Sequence, residues 1–438
     1  MLYRTALRQM QDWKATRTRQ ALMVMGARQV GKTTLVREFA DREYDALAEI
    51  NFYENAAAVQ TLAAATDVND LMLRLSVLTG TELRPGKTLL FLDEVQECKD
   101  MLTWAKFLSE KADLHVVMSG SLLGLDAYAG ARSFPVGYLR KLTMYPMNFE
   151  EYCLSRGVQD NVLNCMEQAV LAHEEVPDYI HELLMNRFRE YLLVGGMPDA
   201  VQAFVSSSQL VPARNIQRDI FELYSDDIAK YVDNPTEARQ IKMVYDAIPA
   251  QLNAPTKRFK YTRLDANLRF ANLETAFDWL VHAGIALEVT RVGETGFPLG
   301  LSEDRASFKF FMNDIGILTS RLLGGVELDV INGRTNINYG SLFESVVAQE
   351  LTARGYAPHY YSSKKRGEVD FVIEDSSTGK TRLIEVKSGK DYQRHSALTG
   401  LLNAGDAKDA VVLCDGNVKV SDQRIYIPAY AAHLAMRV

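Results

Sequence analysis

The chain has 438 residues, 47% hydrophobic and 24% charged, with 18 Phe and 20 Tyr. That length is about three times a common domain, and the composition excludes a disordered chain. The 49 basic and 56 acidic residues give a formal net charge of -7, which excludes a polybasic nucleic-acid coat and confines any phosphate-binding surface to a local face.

The first 150 residues alternate short apolar runs with helical patterns. Ala21 to Met25, Ala48 to Phe52, Leu89 to Leu92, Val116 to Ser119 and Leu142 to Tyr145 read as strands. Between them, Thr33 to Asp41, Val68 to Leu78 and Trp104 to Ala112 read as helices, which predicts a mainly parallel sheet covered by helices. From about Glu150 to Tyr231 the strand signal disappears and apolar-periodic helices dominate, broken by the punctuation Val194-Gly195-Gly196-Met197-Pro198. Residues 237 to 310 predict two or three more helices. One carries Leu273, Ala276, Phe277, Leu280 and Val281 at the spacing of a buried face, and a strand follows from Ile285 to Val292. Beyond about Phe311 a helix (Leu342 to Arg354) is joined by strand-like runs Pro358 to Tyr361, Val369 to Glu374, Arg382 to Lys387 and Ala410 to Cys414, a fresh α/β unit. Gly324-Gly325 is the best boundary before it.

Cys98, Cys153, Cys165 and Cys414 lie far apart without a C-x-x-C pair, so neither structural zinc nor a disulfide framework is expected. The run Ala21 to Met25 is too short to cross a bilayer and leads into a glycine-rich turn, so the expectation is a cytoplasmic protein with no membrane partner.

Gly26-Ala27-Arg28-Gln29-Val30-Gly31-Lys32-Thr33 matches G-x-x-x-x-G-K-[ST] between a strand and a helix, the context that the phosphate loop needs. Backbone N–H groups of this loop, extended to Thr34, would face the α and β phosphates of ATP or ADP, Lys32 would reach the β and γ phosphates, and the Thr33 hydroxyl would ligate Mg²⁺. About sixty residues on, the apolar run Leu89 to Leu92 ends in Asp93-Glu94. Asp93 would hold Mg²⁺ and Glu94 would orient or deprotonate the attacking water. The next strand ends in Ser119-Gly120-Ser121, which would place the Ser119 hydroxyl near the γ phosphate or serve as a polar turn. Arg132 and Arg140 are the candidate cations for transition-state charge.

The phrases GARQVGKTTL, LLFLDEVQE, VVMSGSLLG, SFPVGYLRKLTMYPMNFEEY, YLLVGGMPDAV and FKFFMNDIGIL together resemble a prokaryotic family of AAA-superfamily ATP-binding proteins with a restriction-endonuclease-like C-terminal domain. The resemblance covers nearly the whole chain. It is also similar to the signal-transduction ATPases with numerous domains, in which a G-x-P turn of a helical lid approaches the nucleotide; that resemblance maps the turn onto Gly196, Met197 and Pro198. Where such proteins often carry Lys after F-P-V-G, this chain has Tyr138.

Asp370 stands in Glu368-Val369-Asp370-Phe371, and fifteen residues later comes Ile384-Glu385-Val386-Lys387. On a strand Glu385 and Lys387 share a face. Asp370 and Glu385 would hold one Mg²⁺, and Lys387 would act at the scissile phosphate. Glu344 on the preceding helix would add a ligand, as in the PD-(D/E)XK nucleases that this segment resembles, although Val369 stands where the name motif has Pro. An E-x-K strand also occurs as a merely solvated face. Between the two α/β units, Ala250 to Phe270 holds five basic residues against one acidic, a net +4, centred on Lys257-Arg258-Phe259-Lys260-Tyr261-Thr262-Arg263. With the following helix and strand it resembles a winged helix that would face DNA or RNA, with a solvated linker as the alternative.

The sequence therefore predicts an α/β chain in four parts: a P-loop AAA-type ATPase core over 1–150, a helical lid over 151–234, a winged-helix-like module over 235–324 and a nuclease-like domain over 325–438. The function expected is an Mg²⁺-dependent ATPase whose nucleotide state controls a nucleic-acid-binding, nuclease-like C-terminal region. The alternatives are a nucleotide-gated regulatory switch whose nuclease-like domain is catalytically silent, and a DNA motor resembling helicase loaders.

Overall fold

The computed structural model describes residues 2–16, 20–121, 137–323, 339–389, 396–405 and 407–438. Arg132, the turn after Ser121 and the Gly324-Gly325 boundary lie outside them. The chain divides into two compact units, Arg4–Tyr145 with His282–Gly284, and Pro146–Val281 with Ile285–Val438.

In the first unit the strands are β1 (Ala21–Gly26), β2 (Ala46–Asn51), β3 (Thr88–Asp93), β4 (His115–Ser121) and β5 (Leu139–Met144). They form one all-parallel sheet in the order β2-β3-β4-β1-β5. The expected parallel α/β core is present. Every residue of β1 and β3 is buried, because helices cover both faces of a parallel sheet and its central strands must be apolar throughout. The helices are α1 (Ala6–Ala15), α2 (Lys32–Glu43), α3 (Ala56–Ala63), α4 (Val68–Thr79) and α5 (Asp100–Glu110). Asp67 caps α4 by accepting from the Asn69 and Asp70 N–H groups, and Gly80 ends it at φ +63°. Neither α1 nor α3 was expected. Helix α1 buries only Met10 and Trp13, whose i, i+3 spacing packs one narrow stripe inward, Trp13 reaching the Phe39 ring of α2 at 6.2 Å.

The second unit begins with the helices α6 (Phe149–Ser155), α7 (Asp160–Ala172), α8 (Asp178–Val194), α9 (Pro198–Ser207), α10 (Leu210–Tyr231), α11 (Pro235–Leu252) and α12 (Phe270–His282). Strands β6 (Ala286–Val292) and β7 (Glu303–Met312) follow, then α13 (Ile315–Leu322) and α14 (Tyr339–Ala353). The rest comprises β8 (His359–Ser363), β9 (Gly367–Asp375), β10 (Lys380–Val386), α15 (Ser396–Asn403), β11 (Ala410–Cys414), β12 (Lys419–Ser421) and β13 (Arg424–Pro428). All eight strands belong to one sheet, in the order β12-β13-β11-β10-β9-β8-β6-β7. Strand β6, expected as the strand of a separate winged-helix-like module, pairs instead with the unexpected β7 and continues the C-terminal sheet through the parallel β6–β8 pairing. The basic run departs from expectation too. Phe259 is buried against Phe277 at 5.0 Å, its N–H donates to Phe308 O, and the backbone at Arg258 bridges to Lys309, so this segment lines β7.

The Gly195-Gly196-Met197-Pro198 turn is held by a fully enclosed carboxylate. Asp314 Oδ2 accepts from Gly196 N–H at 2.6 Å, and its Oδ1 caps α13 by accepting from Ile317 N–H at 2.9 Å. Gln217 donates to Leu193 O and Val194 O, satisfying the end of α8, and Arg214 donates to Gln217, Gly316 O and Thr319. Pro198 opens α9 at its first turn, where a missing N–H costs nothing. Gly196 admits no side chain: a Cβ would stand 2.0 Å from Met147 O.

Asp314→Ala orphans buried N–H groups worth about 1–3 kcal/mol each. It is expected to move the urea midpoint of the full chain clearly downward, with Gly196→Ala doing the same. Unchanged midpoints in both variants would contradict the clamp.

Candidate functional site

In the first unit, β1 delivers the phosphate loop at its C-terminal end and α2 leaves from it. Gly26 is required by close approach, since a Cβ there would lie 2.3 Å from Met144 O of neighbouring β5. Gln29 at φ +64° and Gly31 at φ +89° curl the intervening loop, and Gly31 caps α2. Lys32 and Thr33 then occupy the first turn of α2, where free N–H groups and the helix dipole favour an anion. Lys32 is 6% exposed and donates to Gly26 O at 3.1 Å and Ala27 O at 2.9 Å. Burial lowers its pKa; Glu94 and Asp93 oppose that shift without cancelling it.

Asp93, at the end of β3 and 1% exposed, is the hub of this site. Its Oδ2 accepts from the Thr33 hydroxyl at 2.9 Å and from Asn51 Nδ2 at 3.3 Å. Its Oδ1 accepts from the Glu94 N–H at 3.2 Å and from the Ser119 hydroxyl. The phosphate loop, Thr33, Asp93, Glu94 and Ser119 are therefore brought together, and Ser119 partners Asp93. Glu94 sits at φ +53°, and Gln96 Nε2 donates to its carboxylate. Asn51 was missed by the sequence reading. Its signal was register: the parallel β2–β3 pairing places Asn51 opposite Asp93. Arg140 lies exposed on β5.

The second expected constellation lies wholly in the other unit. Glu368 and Asp370 share a face of β9, Glu385 lies on β10 one step beyond the Ile384–Phe371 pair, and Glu344 projects from α14. The surprise is Lys309 of β7, which is 0% exposed. Its Nζ stands 3.0 Å from Glu368 Oε1, 3.3 Å from Glu344 Oε2 and 3.6 Å from Asp370 Oδ1. Lys257 pairs with the other oxygen of Glu344, and Arg258 reaches Glu368 at 3.5 Å and the Ser362 hydroxyl. Lys387 pairs with Glu385 Oε1 at 2.6 Å, while Glu385 Oε2 is buried with no hydrogen-bond partner. Burial opposes the charge on Lys309, yet Glu344, Asp370 and Glu368 outweigh it and raise the pKa above the ordinary lysine value. Burial likewise works against the Asp370 charge, but Lys309 and Lys257 hold its carboxyl below the usual range. Glu385 moves the other way, pushed up to about 8 by burial and by Asp370.

This donor set does not fit the expected divalent cation. An ammonium already lies among Glu344, Glu368 and Asp370. Among the described residues no group of three or more His, Cys, Asp or Glu side chains is placed to hold a metal ion. The sequence reading missed Lys309, Lys257 and Glu368 as members of this cluster. A lysine inside the run Phe308-Lys309-Phe310-Phe311 was the available signal, since β7 is buried there on both faces.

The sheet order, the loop between β1 and α2, and the Thr33–Asp93 contact define a P-loop nucleotide domain. Residues 18–153 match the AAA domain family. Residues 185–326 match a domain of unknown function (DUF8612), and residues 339–432 match another (DUF4143). No curated protein matches the chain. Among solved structures, a Walker-type ATPase of Pyrococcus abyssi is 12% identical with a TM-score of 0.45, the match covering 74% of this chain and 96% of that one. The ORC1 protein of Aeropyrum pernix in complex with DNA is 14% identical with a TM-score of 0.28, covering 74% and 95%. AMPPCP-bound DnaA from Aquifex aeolicus is 14% identical with a TM-score of 0.30, covering 64% and 89%. No described helix is long and apolar enough to cross a membrane.

Gly26→Ala must push the loop away from Met144 O. It is expected to lower both the thermal midpoint and the binding of a fluorescent ATP analogue; normal binding with an unchanged midpoint would contradict the loop geometry described.

Proposed function

We propose that the chain binds Mg-ATP at residues 26–34, hydrolyses it, and uses the difference between ATP and ADP to govern its C-terminal region. The observation that carries this reading is the Thr33–Asp93 contact, which joins the first turn of α2 to the end of β3 beside Lys32. Neutral donors surround Asp93, so its carboxylate is oriented without being neutralised by a cation in hydrogen-bond contact. Thr33 and Asp93 would hold Mg²⁺, which when bound supplies charge neutralisation across the β and γ phosphate oxygens. The loop N–H groups at the start of α2 take phosphate oxygens. Lys32 exchanges the carbonyls of Gly26 and Ala27 for phosphate, a fully charged acceptor that offsets its burial. Glu94 orients the attacking water and takes its proton, and the donor Gln96 fixes where that carboxylate points.

For the C-terminal region, the lysine partners of Glu344 and Asp370 favour the regulatory reading, a nuclease-like domain that recognises and does not cut. Nucleic acid is the partner proposed for it. The exposed turn Lys364-Lys365-Arg366 supplies three adjacent cations for a phosphate backbone, in place of the inward-facing Lys257 and Arg258. Cleavage assays on labelled DNA and RNA are expected to show no cutting by the wild type.

Lys32→Ala is expected to abolish nucleotide binding. Glu94→Gln is expected to keep binding while turnover falls by about 10²–10⁴-fold. Equilibrium binding of a fluorescent ATP analogue together with phosphate release checks both. Wild-type affinity in Lys32→Ala would reject the site, and wild-type turnover in Glu94→Gln would reject the role given to Glu94.

A further inference from the structure

We infer that Lys309 is a built-in counter-ion: its ammonium takes the place that a divalent cation would hold between Glu344, Glu368 and Asp370, and so keeps this carboxylate cluster free of metal. The inference deepens the regulatory reading of the C-terminal region and rests on it; it is independent of events at the phosphate loop.

Three observations support it. First, the charges balance without a metal. The carboxylates Glu344, Glu368 and Asp370 face Lys257, Lys309 and Arg258, each cation within 4 Å of at least one of them. A divalent ion added to that set would leave an excess of buried positive charge, the condition that low dielectric penalises most.

Second, Lys309 cannot swing aside. It sits in a strand whose neighbours Phe308 and Phe310 are locked into an aromatic cluster with Phe259 and Phe277, which fixes the backbone from which the side chain projects. On the other face its ammonium is roofed by the Tyr360 ring at 5.2 Å and the Phe371 ring at 6.0 Å. A solvent-facing lysine could leave to admit a metal; this one is fully buried.

Third, the counter-ions and the carboxylates come from different stretches of the chain. Lys257, Arg258 and Lys309 fall within residues 185–326, and Glu344, Glu368 and Asp370 fall within residues 339–432. The ammonium is therefore a fastening between the two stretches, at the point where the β6–β7 hairpin continues the C-terminal sheet.

The test is a titration of the full-length, nucleotide-free protein with Mn²⁺, followed calorimetrically and by thermal midpoint. Wild type is expected to show no Mn²⁺ binding that Asp370→Asn removes, and no Mn²⁺-dependent rise in midpoint. Lys309→Met, which keeps the length and the apolar stem but deletes the charge, is expected to gain one Mn²⁺ per chain. Its midpoint is expected to rise with Mn²⁺ and fall again with chelator. Lys309→Met combined with Asp370→Asn is expected to lose that gain. Wild-type Mn²⁺ binding that disappears in Asp370→Asn would overturn the inference, as would a folded Lys309→Met that ignores Mn²⁺. Should Lys309→Met not fold, wild type, Glu344→Gln and Asp370→Asn decide alone: identical Mn²⁺ isotherms support the counter-ion, and wild-type binding that either variant loses overturns it. Failure of the regulatory reading itself would register separately, as nucleic-acid cutting by the wild type.

Discussion

A fully enclosed ammonium must be given counter-charge or lose its proton, and the second unit is arranged around that requirement at Lys309. The lysine lies in β7, so every carboxylate that stabilises it must be carried there by another element: Glu344 by α14, Glu368 and Asp370 by β9. Removing one partner from a buried charge set costs about 3–5 kcal/mol. The contribution to net stability is smaller, because desolvating the charges consumes much of what their attraction returns. The charges meet where helix, hairpin and sheet are joined.

The first unit solves the same problem with neutral groups. Asp93 is as buried as Glu344, but its hydrogen-bond partners are two hydroxyls, an amide and a backbone N–H. Neutral donors stabilise a carboxylate without cancelling its charge, which leaves Asp93 able to attract a cation. The contrast separates two clusters that look alike in sequence. Both pair acidic strand ends with lysine, yet in one the lysine is held by backbone carbonyls and in the other it lies among the acids.

Much of the nucleotide site was legible because its chemistry is local. Gly26 to Thr33 is one loop between one strand and one helix, and the apolar run before Asp93 announces a strand buried on both faces. The parallel sheet followed from the alternation of runs. Asn51 escaped notice because its role depends on which strand pairs with β3, a long-range fact. Helices α1 and α3 escaped because they bury narrow stripes, Met10 with Trp13 and Ala58 with Leu62. In the C-terminal region Asp370, Glu385, Lys387 and Glu344 were visible as residues, and their convergence is real. Their partners were not visible. Lys257 read as part of a basic face, and nothing in the order of residues shows that β7 returns to the sheet beside β6 and β8, turning a surface-like cation inward. Spacing identifies which groups share an element; the neighbouring element decides what those groups do.

The central claim is that one cluster of this chain accepts a divalent cation and the other supplies its own. Anomalous diffraction from crystals grown with Mn²⁺ and a non-hydrolysable ATP analogue tests both halves at once. The account predicts a single protein-bound Mn²⁺ peak beside Thr33 and Asp93, with the Lys309 ammonium still in contact with Glu344 and Glu368. A peak among Glu344, Asp370 and Glu385, with Lys309 displaced, would contradict it.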